Sequence, residues 1–198
     1  MNPQFPMKSI RHLPFLIIAL LCWRGGLLEA EEQSSTYRLI GLFEPSRQDD
    51  FRDLMSNIPE LQIAKLDFEK DEVTLSYELP KLFIDGKVPK DLPPDKLMER
   101  INNLIGSKSG RHKNTFKLTA LSKLPAHQQT RVDIKIGILD CKGCRYGVYQ
   151  IVNKIDGVER VTVGVETPMV TAWIDPAKTN REAIEAALKK AQVAVPAS

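Results

Sequence analysis

The chain has 198 residues, 42% hydrophobic and 27% charged, with 28 Lys and Arg against 25 Asp and Glu. That length holds one ordinary domain or two small ones, in the composition of a water-soluble globular protein. Residues 1–30 carry Lys8, Arg11 and Arg24 against Glu29 alone, so the remainder is nearly neutral. It lacks the concentrated basic face that nucleic-acid binding requires.

Lys8, Arg11 and His12 precede the apolar run Leu13 to Trp23, and Leu27-Leu28-Glu29-Ala30 follows with a small residue at its end. This pattern reads as a signal peptide over residues 1–30, giving a secreted or periplasmic protein. The run is too short to cross a hydrocarbon layer of about 30 Å, which takes about 20 helical residues, so no membrane attachment is expected after cleavage. Cys22 leaves with the leader, and Cys141 and Cys144 remain in a compartment that favours thiol oxidation.

In the first part of the exported chain, over residues 36–123, alternating apolar positions predict strands near Tyr37 to Phe43, Leu61 to Phe68, Glu72 to Leu79 and Phe116 to Leu121. Helical spacing predicts helices over Ser46 to Asn57 and Pro94 to Ile105. Between the third strand and the second helix runs an extra segment, residues 81–93, with Asp85-Gly86 and two further prolines, which reads as an irregular surface loop. The basic segment Lys108 to Lys117, with Arg111 and His112, reads as a solvated loop, and residues 124–130 as a linker.

The second part, residues 131–198, repeats the order. Val132, Ile134, Ile136 and Ile138 alternate with polar or small residues as a strand, and Val148, Ile151, Val152 and Ile155 recur at helical spacing until Asp156-Gly157. Val158 to Val165 and Val170 to Ile174 form a hairpin across Glu166-Thr167-Pro168. Thr179 or Asn180 caps a helix carrying Ile184 and Leu188, and Val193 and Val195 are left for a short last strand. Trp173 is expected to pack against a neighbour from an edge or solvent-facing position of its strand. The fold class is α+β, a ferredoxin-like βαββαβ sandwich in two tandem copies.

One offset places Ile58-Pro59-Glu60-Leu61 on Ile155-Asp156-Gly157-Val158 and also Val73-Thr74 on Val170-Thr171, as an internal repeat would. The same offset puts Cys141 on Glu44 and Cys144 on Arg47, so the first copy has no thiols where the second has both. Glu44 and Arg47 read equally well as an ion pair or as two exposed loop residues.

Cys141-Lys142-Gly143-Cys144 lies between a strand and a helix. Free amides and the positive end of the helix dipole, with Lys142 and Arg145 alongside, favour thiolates there, and thiolates bind soft or borderline metals. Asp140 adds a carboxylate next to the pair, either as a third, harder ligand suited to Zn²⁺ or as a cap on the helix. The rival readings of the two cysteines are a redox-cycling dithiol and an inert structural disulfide in an interaction module. Nothing resembling a catalytic triad, a phosphate loop or paired catalytic acids is present, so no enzyme is expected.

Ile138-Leu139-Asp140-Cys141-Lys142-Gly143-Cys144, the Ile155-Asp156-Gly157-Val158 turn and the Asp175-Pro176-Ala177-Lys178-Thr179 corner resemble the heavy-metal-associated family. The resemblance covers the second copy well and the first weakly. It implies that Cys141 and Cys144 hold one ion, Cu(I) or Zn(II), with Asp140 as a further ligand in the zinc type. It also implies a metal-transporting or metal-accepting protein as partner, and a metal-bridged homodimer is compatible with such a site. Leu139 stands where a methionine is usual in that family and Gln192 where a glycine is usual.

Overall fold

The computed structural model describes residues 31–108, 110 and 115–196; the leader expected over residues 1–30 and half of the basic segment, His112 included, lie outside them. The first sheet contains β1 (Glu32–Ile40), β2 (Gln62–Asp67), β3 (Glu72–Glu78) and β4 (Lys117–Thr119). Its order is β2-β3-β1-β4, antiparallel throughout. Helices α1 (Arg47–Met55) and α2 (Pro94–Lys108) supply its packing partners. Phe51, Leu54 and Met55 of α1 and Ile101 and Ile105 of α2 recur at i, i+3 and i+4 and are buried, forming one core with Leu39, Val73, Leu75 and Leu118.

The second sheet has β5 (Thr130–Lys135), β6 (Val158–Val163) and β7 (Met169–Ile174) in the order β5-β7-β6, again antiparallel. Helix α3 (Lys142–Asn153) buries Val148, Tyr149 and Val152, and α4 (Arg181–Lys190) buries Ile184 and Leu188. Asn180 caps α4, its Oδ1 accepting from the Ala183 amide at 2.9 Å. Each half is therefore a ferredoxin-like α+β unit, and α1, β2 and β3 match α3, β6 and β7 at the offset read from the sequence. The extra segment at residues 81–93 then displaces α2 relative to α4. That segment is anchored: Leu82 is fully buried and its carbonyl accepts from Arg100 Nε at 2.6 Å, while Ile84 is exposed.

Three expectations need correction. The chain through Val193 and Val195 forms no strand: it lies beside the end of β5 through one bond, Gly137 N–H to the Ala194 carbonyl at 2.7 Å. Pro196 lacks the N–H that would extend a ladder there. Strand β5 stops at Lys135 instead of continuing to Ile138, which is 79% exposed. Strand β1 begins at Glu32 because Glu32 to Ser35 pair with β3, although the side chains of Glu32, Gln33 and Ser34 are exposed.

Gly157 takes φ 86 at the turn after α3, where a Cβ would stand 2.6 Å from Lys178 Cβ. Gln192, after α4, adopts φ 61 where the resembled family has glycine. A left-handed conformation costs a residue with a Cβ about 1–2 kcal/mol, so Gln192→Gly should stabilise the protein by about 0.5–1 kcal/mol in urea unfolding. No gain would mean that the Gln192 side chain contributes packing of equal worth.

The two halves dock against each other. Phe43, which precedes α1, packs in the second core, its ring 5.7 Å from that of Tyr146 and 5.4 Å from that of Tyr149. Its carbonyl accepts from the Val163 amide at 2.7 Å, and the Gly41 amide donates to Tyr149 Oη at 2.8 Å. Farther along the seam, Arg160 stacks 4.0 Å over the Trp173 ring and donates to the Phe68 carbonyl at 3.1 Å. This is the partner that Trp173 was expected to have.

Asp71, 1% exposed at that seam, faces Arg160 Nε at 3.7 Å. Burial pushes its carboxyl from 3.8 up to about 7 against the opposing pull of Arg160 and Arg38, with Glu69 adding to the rise. The folded state thus holds this proton more tightly than the unfolded state. The resulting stabilisation is complete below about pH 3.8 and is lost as pH rises through about 7. Unfolding midpoints measured across that window should fall more steeply in the native protein than in Asp71→Asn; parallel profiles would contradict this assignment.

Candidate metal centre

Beyond β5, residues 136–140 carry the chain to Cys141, which is extended (φ −98, ψ 136) and is the N-cap of α3. Its Sγ accepts from the Cys144 amide at 2.9 Å, so sulfur takes the capping role open to Asp140 in the sequence. Cys144 lies in the first helical turn with its Cα 5.2 Å from that of Cys141, and the two are joined as a disulfide. Both cysteines are exposed. Once reduced, two sulfurs remain side by side at a helix N-terminus, where amides and dipole favour the negative form.

Asp140 is exposed, and its carbonyl accepts from Arg145 Nη1 at 3.3 Å. Among the described residues no group of three or more His, Cys, Asp or Glu side chains is gathered to hold a metal. Only after reduction of the disulfide would the pair offer two soft, exposed sulfur donors. A shallow groove of about 310 Å³ adjoins Cys144, lined by Ile138, Leu139, Gly147, Ile151 and Val193 among others.

The cations flanking the pair are committed to the first half. Lys142 Nζ stands 2.7 Å from Asp50 Oδ2 and 4.0 Å from Glu44 Oε1. Arg145 Nε donates to Glu44 Oε2 at 2.6 Å, and its Nη1 donates to the Leu139 carbonyl at 2.9 Å. Burial pushes the Asp50 carboxyl up, but hydrogen bonds from Lys142 and Arg47 outweigh it and hold the group below its ordinary value.

Glu44 and Arg47, which read as a mutual ion pair or as exposed loop residues, are neither. They are 1% and 4% exposed. Glu44 pairs with Arg145 and accepts from Ser46 Oγ at 2.7 Å. Arg47 pairs with Asp50 at 2.7 Å, donates to the Gly41 carbonyl and Thr115 Oγ1, and lies 4.0 Å over the Phe116 ring. The signal in the sequence was positional: both occupy the places that cysteines hold in the second copy. His127 is exposed in a short 3₁₀ turn, Ala126–Gln128.

No family model and no curated protein matches the chain. Among solved structures, oxidized MerP from Ralstonia metallidurans is 25% identical, over 34% of this chain and 94% of its own, with a TM-score of 0.33. A CopZ metallochaperone is 22% identical over 34% of this chain and all of its own, with a TM-score of 0.33. The water-soluble region of the P-type ATPase CopA from Bacillus subtilis is 15% identical over 83% of this chain and 90% of its own, with a TM-score of 0.32.

Proposed function

We propose that this chain is an exported, non-enzymatic metal-handling protein whose second domain holds one soft or borderline ion between Cys141 and Cys144. The observation that carries this reading is the exposed pair itself, side by side at the N-terminus of α3 on a ferredoxin-like domain. The motif resemblance at Ile138 to Cys144 supports it.

Two sulfurs leave an ion with open coordination positions, through which an incoming thiol pair displaces them stepwise. Transfer to a metal-transporting or metal-accepting protein, or sensing, fits such a site better than storage. Cu(I) suits the two sulfurs alone, and Zn(II) requires Asp140 or water to complete its shell. In the first domain Glu44 and Arg47 replace the cysteines, and its role is structural support of the second.

Native mass spectrometry of the reduced protein with Cu(I) or Zn(II) tests this reading. One ion per chain, or one per dimer held by four sulfurs, with none on the disulfide form, is the expected result. Export is tested by the mature amino terminus, expected just after Ala30.

A second reading is favoured by the disulfide: a redox protein cycling Cys141 and Cys144. It predicts metal-independent reduction of insulin disulfides at a rate lost in Cys141→Ser.

A further inference from the structure

In the first copy, Glu44 stands at the position of Cys141, and the two loops that start α1 and α3 abut. Their contact is a buried chain of charged hydrogen bonds. The Glu44 carboxylate, 1% exposed, accepts from Arg145 Nε at 2.6 Å and from Nη2 at 3.4 Å. The third nitrogen of the same guanidinium, Nη1, donates to the carbonyls of Leu139 at 2.9 Å and Asp140 at 3.3 Å. These are the two peptide units immediately before Cys141. Arg145 also follows Cys144 directly, and its amide donates to the Cys141 carbonyl at 3.1 Å.

One planar group therefore spans from the first domain to the backbone on the approach to both cysteines. Only arginine has the fork for it: three nitrogens in a fixed plane address a carboxylate on one edge and two carbonyls on the other. Without the carboxylate, the guanidinium would be a buried cation with no opposite charge to fix its plane, and its hold on the two carbonyls would loosen. Lys142, the first residue of α3, is held 2.7 Å from Asp50 and so is also tied to the first domain. The equivalent of Arg145 in the first copy, Gln48, makes only a 3.4 Å bond to the nearby Pro45 carbonyl, so the arrangement is not a general property of this helix start.

We propose that Glu44 is a positioning residue for the cysteine loop: through Arg145 it holds residues 139–145 in the shape that presents both sulfurs together. The first domain is thereby a built-in support that sets how readily the loop opens to exchange an ion. Its consequence for metal exchange rests on the metal-binding reading above; the ordering of the loop does not.

The test is amide hydrogen exchange on the full, reduced, metal-free chain, comparing the native protein with Glu44→Gln. The amides of Cys144 and Arg145 should exchange about tenfold faster or more in the variant, as expected for loss of a charge-assisted hydrogen bond, with β7 unchanged. Arg145→Lys provides a second variant: it keeps a cation for Glu44 but cannot span both carbonyls, and it should loosen the same two amides. Release of Cu(I) to a competing chelator should accelerate in both variants by a similar factor, an effect not produced by lost packing elsewhere. Unchanged exchange at Cys144 and Arg145 in either folded variant would overturn the proposal. Loosened amides in a series that never binds Cu(I) would uphold the positioning role and sink the metal-binding reading instead.

Discussion

Glu44→Ala is expected to lower the unfolding free energy by about 3–5 kcal/mol, the range for removing one partner of a buried ion pair. The magnitude follows from what remains. The Arg145 side chain is only 9% exposed and would keep its charge with no carboxylate in reach. Two neutral carbonyls, of Leu139 and Asp140, do not replace it. Arg145→Ala should cost a comparable amount by stranding Glu44, whereas the double variant should cost less than the two losses added, because neither charge is then stranded. Urea unfolding of the four proteins gives the coupling directly. Strict additivity would show that the pair is not formed in solution.

The second large effect is expected at Phe43. Its ring is 1% exposed and lies among Tyr146, Tyr149 and the aliphatic side chains of the second core, although the residue precedes the first helix of the first copy. Phe43→Ala removes a full aromatic side chain from a packed site, which costs about 3–5 kcal/mol. It also weakens the seam, where the Phe43 carbonyl bonds the Val163 amide at the end of β6. Hydrogen exchange should then rise at Val163 and along α3 more than in β1 to β3. A loss below about 1 kcal/mol would contradict the placement of this ring in the second core.

How much of this was legible depended on whether the governing interaction was local. The βαββα order shared by both halves, the repeat offset and the helix stripes were readable because apolar spacing within one element records which face is buried. Strand β5, α3 and the β6–β7 hairpin lie close to where Val132, Val148, Val161 and Val170 place them. Phe43 sits in a strand-like run of the first copy, and nothing in that run says that its ring packs into the other core. The burial of Glu44 and Arg47 was equally hidden, since charged residues at the start of a helix are ordinarily solvated; Glu44 is paired by Arg145 of the second half, and Arg47 lies against Asp50, Thr115 and Phe116 of its own half.

Other differences have local causes that single-residue reading underweights. Val193 and Val195 have strand-forming side chains, but β-propensity does not supply a ladder, and Pro196 ends the one that begins at Ala194. Ile138 continues an alternating run, yet its strand has already ended at Lys135 and Gly137 meets the carboxy-terminal segment instead. For the cysteine pair, the sequence specified its place between strand and helix. It did not specify that Lys142 and Arg145, expected to act on the sulfurs, are tied to Asp50 and Glu44 of the other half.

The most direct test of the metal-handling account is an anaerobic competition titration of the reduced protein with Cu(I) and with Zn(II) against chelators of known strength, using Cys141→Ser/Cys144→Ser as the control. The account predicts tight binding of one ion per chain, or one per dimer, that the double variant loses. Binding in the native protein no tighter than in the control would contradict it.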